Sequence, residues 1–173
     1  MTNYFYDTEF YEDGKQVHLI SLGMVCEDGR ELYLQNSEFN WDIVPDDHWI
    51  QENVRPWLHT EDIFFHDRAE IADILRGWVL PEDGQAQLWG YYSAYDHVVL
   101  AQIFGIMMNL PGQFPMYTRD LKQWADHLYI RSHDYPVQDE VQHHALADAR
   151  WNQKLWRFLD EIAFPEKYDE FGL

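Results

Sequence analysis

Residues 3–10 read "NYFYDTEF". The run is apolar and aromatic, suited to a buried strand, yet it carries Asp7 and Glu9 two residues apart. In an extended strand residues i and i+2 lie on one face, about 6.6 Å apart. Asp7 and Glu9 therefore project one way, and Tyr6, Thr8 and Phe10 the other. Two adjacent carboxylates repel each other, and burial worsens the repulsion. Either a cation sits between them or one is protonated, unless this is an edge strand with a wet face. A pair of divalent ions, which sit about 3.5–4 Å apart in two-metal sites, is the economical solution.

The neighbouring segments place this strand. Residues 16–27 and 30–39 are rich in β-branched and apolar residues, with the turn signal "EDG" at 27–29 between them, and predict two further strands of an antiparallel meander. The pattern then becomes helical over 45–59, broken at Pro56, and over 67–80, where Ile71, Ile74, Leu75 and Trp78 share a face and "PEDG" ends the helix. "QAQLWGYY" (85–92) predicts a fourth strand. Residues 93–107 predict a buried helix capped near Ser93, 114–118 a fifth strand and 119–130 another helix. Residues 131–142 are polar and aperiodic, hence a loop. Residues 143–163 predict a long amphipathic helix with Leu155, Phe158, Leu159 and Ile162 inward, followed by a loose or docked tail. Three strands followed by alternating helix and strand predict one α/β domain over 1–173, with a tail over 165–173: a mixed five-stranded sheet flanked by helices.

Three downstream residues bear on the acids of the first strand. Asp96 follows the fourth strand and opens a helix, so it reaches the same sheet edge, or it simply complements that helix's dipole. Asp148 lies among Ala145, Ala147 and Ala149, small residues that let a helix approach a sheet closely. An acid on such a packing face needs a partner, unless it is exposed. His143 lies at the loop-to-helix junction five residues before Asp148, either as a working histidine or as a surface one, and His144 adjoins it.

In their order, "DTEF", "SAYDH" and "HHALADA" resemble the DEDDh branch of the 3′–5′ exonucleases, which have an RNase H-like fold. Within that branch the chain looks most like the polyadenylate-specific exoribonuclease AS group. The resemblance spans roughly residues 3 to 160. It implies that Asp7, Glu9, Asp96 and Asp148 hold two Mg²⁺ ions, with Mn²⁺ as a substitute, and that His143 is the general base. It also implies a homodimer acting on the 3′ end of single-stranded RNA and releasing nucleoside 5′-monophosphates, with adenylate as a candidate preference. Many relatives carry Asn four residues before the middle Asp, where this chain has Tyr92. Thr8 and Phe10, which flank the acids, are the candidates for substrate contact. A histidine suits proton transfer near neutral pH.

Composition constrains the alternatives. The 173 residues are 46% hydrophobic and 17% aromatic, enough for a sizeable core, yet carry a formal net charge of -19. Such a field repels nucleic acid at long range and, taken alone, argues against a non-specific nucleic-acid binder. It leaves open an acidic mimic of nucleic acid, and within the resemblance a DNA or short-oligonucleotide exonuclease. Six of the twelve lysines and arginines, namely Arg119, Lys122, Arg131, Arg150, Lys154 and Arg157, are candidates for one basic rim. Cys26 is the single cysteine, so neither an intrachain disulfide nor a cysteine zinc site is expected. With no signal-peptide pattern and no long apolar run, a cytoplasmic location and no membrane partner are expected.

Overall fold

The computed structural model describes residues 1–80 and 85–169, except the side chains of residues 62 and 169. The turn expected at 81–84 and the last four residues of the tail lie outside them. Six strands form one mixed sheet: β1 (Asn3–Glu12), β2 (Val17–Cys26), β3 (Glu31–Asn36), β4 (Phe65–His66), β5 (Gln87–Gly90) and β6 (Arg119–Asp120), in the order β4-β3-β2-β1-β5-β6. The helices are α1 (Trp49–Asn53), α2 (Arg68–Trp78), α3 (Ala94–Ile103), α4 (Leu121–His127), α5 (Ala145–Ala163) and α6 (Glu166–Asp169).

The meander is as expected, with β1 antiparallel to β2 and β2 to β3. β1 is then central, because β5 pairs with its other side in parallel. That removes the wet-edge explanation of Asp7 and Glu9. Tyr4, Phe5 and Tyr6 are all fully buried, since helices cover both faces. Tyr4 and Tyr6 pack with Ile71 and Leu75 of α2 and with Val99 and Leu100 of α3. Phe5, on the opposite face, packs with Leu121 of α4 and with Leu155 and Leu159 of α5. The alternation that puts Phe5, Asp7 and Glu9 on one face thus aims both acids at the α5 layer.

Several expected boundaries differ. The fifth strand is not 114–118 but the two residues Arg119–Asp120, and Phe65–His66 adds an edge strand, giving six strands rather than five. Two-residue strands have no periodicity to read. The helix expected over 45–59 is interrupted. Only Trp49–Asn53 is α-helical, and Pro56 sits in a separate 3₁₀ turn, Arg55–Trp57, because a proline lacks the N–H that would continue the ladder. The helix expected over 93–107 stops at Ile103, with Phe104 as its cap and Gly105 at φ 105°. Ser93 is its N-cap residue without a capping side-chain bond; its Oγ and N–H instead meet the Asp120 carboxylate. The last long helix starts at Ala145, so Asp148 is in its first turn, and Ile162 is exposed rather than inward. Part of the tail docks: Tyr168 and Lys167 bond the buried Asp160 carboxylate.

The start of α5 lies directly against the sheet at Gly23, the register partner of Asp7. A Cβ built on Gly23 would stand 2.3 Å from the Ala145 carbonyl carbon. Ala145 and Ala149 are fully buried. Small residues on both partners therefore bring the first turn of α5, with Asp148, down onto the strands that carry Asp7 and Glu9. Gly23→Ala is expected to destabilise the fold by about 1–3 kcal/mol or more, as overpacking does. It should also cut any activity that depends on Asp148, measured by thermal melting beside an activity assay. A Tm equal to wild type would mean that α5 does not rest on Gly23.

Candidate active site

β1 and β5 are parallel, so their carboxyl ends open on the same sheet edge, the edge where open α/β sheets hold ligands. A bulge between Glu9 and Phe10 breaks the β1–β2 register just there. Bulges re-aim side chains beside functional sites. At this edge a cavity of about 830 Å³ is lined by Asp7, Glu9, Asp96, Asp148 and His143 together with aromatic side chains.

Each acid is placed by a different element. Asp7 and Glu9 come from β1; Glu9 is buried and Asp7 half-buried. Asp96 sits in the first turn of α3, as its position after β5 predicts. It is buried and accepts hydrogen bonds from the Thr8 N–H at 2.9 Å and the Thr8 hydroxyl at 2.6 Å. Asp148 accepts from the His143 N–H at 2.9 Å and from the Gln138 amide. Thr8, expected as a substrate contact, lines the cavity but is buried and spent on orienting Asp96. Sequence reasoning missed Gln138 and also Asn152, whose buried side chain donates to the Tyr6 carbonyl at 3.0 Å. Gln138 lies in an aperiodic loop with no signal, whereas Asn152 on the inward face of an apolar helix was a readable one.

Burial raises all four carboxyls. It pushes Asp7 well above the usual carboxylate range, with the Asp96, Glu9 and Asp148 charges acting the same way. Glu9 is pushed up to about 8 by burial and then by Asp148 and Asp96. Asp96 rises to about 6, burial outweighing the two Thr8 bonds. Asp148 rises as well, burial outweighing its bonds from Gln138 and His143. Among the described residues lining the cavity there is no lysine or arginine to compensate them. Carboxylate-rich donor sets of this kind fit hard divalent cations. The tightest grouping is Glu9, His143 and Asp148, whose ligand atoms lie within 4.8 Å of one another; Asp7 and Asp96 complete the same wall.

The adjacent histidines part company. His143 has a left-handed backbone, φ 64°, and lines the cavity with its ring edge-on to Trp49 at 4.5 Å. A non-glycine residue held in that region is a strain that clusters at functional sites. His144 turns away, caps α5 through Nδ1 to the Ala147 N–H, and stacks on Tyr33 at 4.6 Å. Phe10 both lines the cavity and stacks on Tyr95, ring centroids 5.6 Å apart. Tyr92, at φ 54°, is exposed on the cavity wall. The single basic rim expected from sequence does not form. Arg150 is spent on Glu31 and Glu140, Lys154 on Asp139, and Arg119 lies over Trp89 and Tyr117, while Lys122 and Arg131 line a separate cavity.

The fold, a mixed sheet flanked by helices, matches that of a solved exonuclease. It is similar to exonuclease I, in a structure described as suggesting how processivity is achieved, with a TM-score of 0.65 and 14% identity over 98% of this chain and 42% of that one. A chain in the crystal of the yeast NOT1 MIF4G domain with CAF1 is similar at a TM-score of 0.51 and 14% identity, over 94% of this chain and 80% of that one. Both likenesses speak for the fold. The chain belongs to the 3′–5′ exoribonuclease Rv2179c-like domain family, whose profile matches residues 2–159. It is 37% identical over 166 residues to the 3′–5′ exoribonuclease Rv2179c of Mycobacterium tuberculosis strain H37Rv, covering 90% of this chain and 92% of that protein. The counterpart in strain CDC 1551 matches equally. No helix among the described residues is long and apolar enough to cross a membrane.

Proposed function

We propose that this chain, working as one domain over 1–173, is a 3′–5′ exoribonuclease of the DEDDh type. It would shorten single-stranded RNA from the 3′ end and release nucleoside 5′-monophosphates. The observation that carries the reading is the convergence of Asp7, Glu9, Asp96 and Asp148 on one cavity whose described lining has no lysine or arginine, while burial opposes their ionisation. These four residues are the ligands assigned to two Mg²⁺ ions, for which Mn²⁺ can substitute. Held by these carboxylates, such a pair would supply a lowered pKa for an attacking water and charge stabilisation for the leaving 3′-oxygen.

The chain's own residues do the rest. His143 accepts the proton of the attacking water, from a loop position that reaches the cavity beside Glu9 and Asp148. Thr8 fixes the Asp96 carboxylate by two hydrogen bonds, and the His143 N–H fixes Asp148. Phe10 and Tyr95 form an aromatic pair on the cavity wall against which a terminal base can stack, the sequence-tolerant mode of single-strand recognition. Adenylate is the first base to test, because of the resemblance to the exoribonuclease AS group. A homodimer is proposed on the same ground, and sedimentation velocity at the predicted dimer mass checks it.

The test uses 5′-labelled oligo(A), mixed-sequence RNA and single-stranded DNA in Mg²⁺, with and without EDTA. Stepwise shortening of RNA from the 3′ end, stopped by EDTA, is expected. DNA shortened as fast as RNA would favour a DNA exonuclease built on the same site. No cleavage in Mg²⁺ or Mn²⁺ would overturn the nuclease and leave the acidic mimic.

A further inference from the structure

A second cavity, of about 530 Å³, adjoins the first, and Ser132 and His133 line both. Its chemistry is the opposite of the first. Lys122, Arg131 and His133 line it, and Asp126 is its only acid among the described residues. Lys122 is paired with that Asp126; Arg131 is exposed and, among the described residues, in no ion pair. His133 lies 3.5 Å from Asp134, so Arg131 is the cation of this wall that stays unneutralised among the described residues, and in a chain of net charge -19 it makes the wall less repellent to a polyanion than the acid cavity beside it.

Tyr129 is the residue that gives this face a purpose. It ends α4 in a Schellman turn: the Ile130 N–H donates to the Ala125 carbonyl at 2.9 Å and the Tyr129 N–H to the Asp126 carbonyl at 3.1 Å. The residue at that position takes the left-handed conformation, and Tyr129 has φ 59°. Glycine is the residue suited to it, because a Cβ is penalised there. The tyrosine ring does not offset this penalty by packing, since Tyr129 is 93% exposed. A strained, solvent-facing aromatic beside two cations has the composition of a single-strand binding track, in which bases stack on aromatic faces and basic groups follow the backbone.

We propose that this second cavity binds the RNA strand upstream of the nucleotide being removed. The strand leaves the acid cavity past Ser132 and His133, one upstream base stacks on Tyr129, and Arg131 and Lys122 meet backbone phosphates. The site would raise affinity for substrates long enough to reach it and leave the shortest ones unaffected. This rests on the exoribonuclease reading above.

The test compares a dinucleotide with an eight-nucleotide RNA, using wild type, Tyr129→Gly and Arg131→Gln. Tyr129→Gly should melt no lower than wild type, because glycine suits the left-handed turn. Its KM for the eight-nucleotide RNA should rise roughly 5- to 150-fold, what loss of one base stack gives, with kcat unchanged. Arg131→Gln should raise the same KM and flatten its salt dependence. Dinucleotide cleavage should match wild type in both variants. Unchanged KM for the long substrate, or an equal loss on both substrates, would overturn the upstream site while leaving the nuclease standing. Failure of wild type to cleave either RNA would instead sink the exoribonuclease reading, and this site with it.

Discussion

Asp7→Asn is expected to lower RNA hydrolysis by more than about 100-fold, beyond what loss of an outer-sphere partner of a metal costs. The same substitution should raise the Tm of the protein stripped of divalent ions. The two effects have one cause. Asp7 is held among Asp96, Glu9 and Asp148, so its charge is useful only to a cation and is otherwise a cost to the fold. Asparagine keeps the shape and removes the charge. The pH dependence follows from the same shifts. A carboxyl whose folded pKa is raised adds stability that is whole below its unfolded pKa, about 4, and is lost as pH rises through the folded value. With Asp96 at about 6 and Glu9 at about 8, the metal-free protein should lose Tm steadily from pH 4 to pH 8. Asp7→Asn should lose less over that span, and millimolar Mg²⁺ should flatten the wild-type curve. A variant with wild-type rates would remove Asp7 from the site. A Tm that climbs with pH in EDTA would mean the acids are not crowded together.

His143→Ala, with His144 intact, is expected to lower kcat by about 10²–10⁴, the range for a lost general base. His143 contributes little to packing, being partly exposed on a loop with Trp49 at its edge. The Tm should therefore stay near wild type. His144→Ala is the counterpart. It removes the side chain that caps α5 and stacks on Tyr33, so about 1 kcal/mol of stability should go with the cap. Its activity well below the Tm should fall far less than that of His143→Ala. If the two variants exchange phenotypes, the base is His144.

The long segments were legible because burial writes itself into composition. β1, β2 and α5 read directly: "YFY" puts aromatics on both faces of its strand, and the alanines around Asp148 announced a close helix–sheet contact. What could not be read from one strand was the other half of that contact. Gly23 carries no signal of its own in the sequence, and its role rests on the Ala145 backbone lying against it. The edge strands β4 and β6 were invisible because two residues carry no period. Pro56 was visible, but the apolar pattern around it suggested more helix than the local backbone allows. In the site, the resemblance of "DTEF", "SAYDH" and "HHALADA" singled out the four acids and His143, and the structure adds the left-handed backbone at 143, with His143 on the cavity and His144 capping α5. The basic rim failed for a related reason. Cations close in sequence on α5 face acids on β3 and the 138–142 loop, and those pairings are set by tertiary packing.

Asp7, Glu9, Asp96 and Asp148 are proposed to form a cage for divalent ions. A crystal grown with Mn²⁺ and a nucleoside 5′-monophosphate, with data collected near the manganese edge, tests it most directly. Two anomalous peaks roughly 3.5–4 Å apart, each touching carboxylate oxygens of these residues, are predicted. Both peaks should vanish or weaken in Asp7→Asn. Peaks elsewhere on the acidic surface with none between these four residues, at saturating Mn²⁺, would contradict the account.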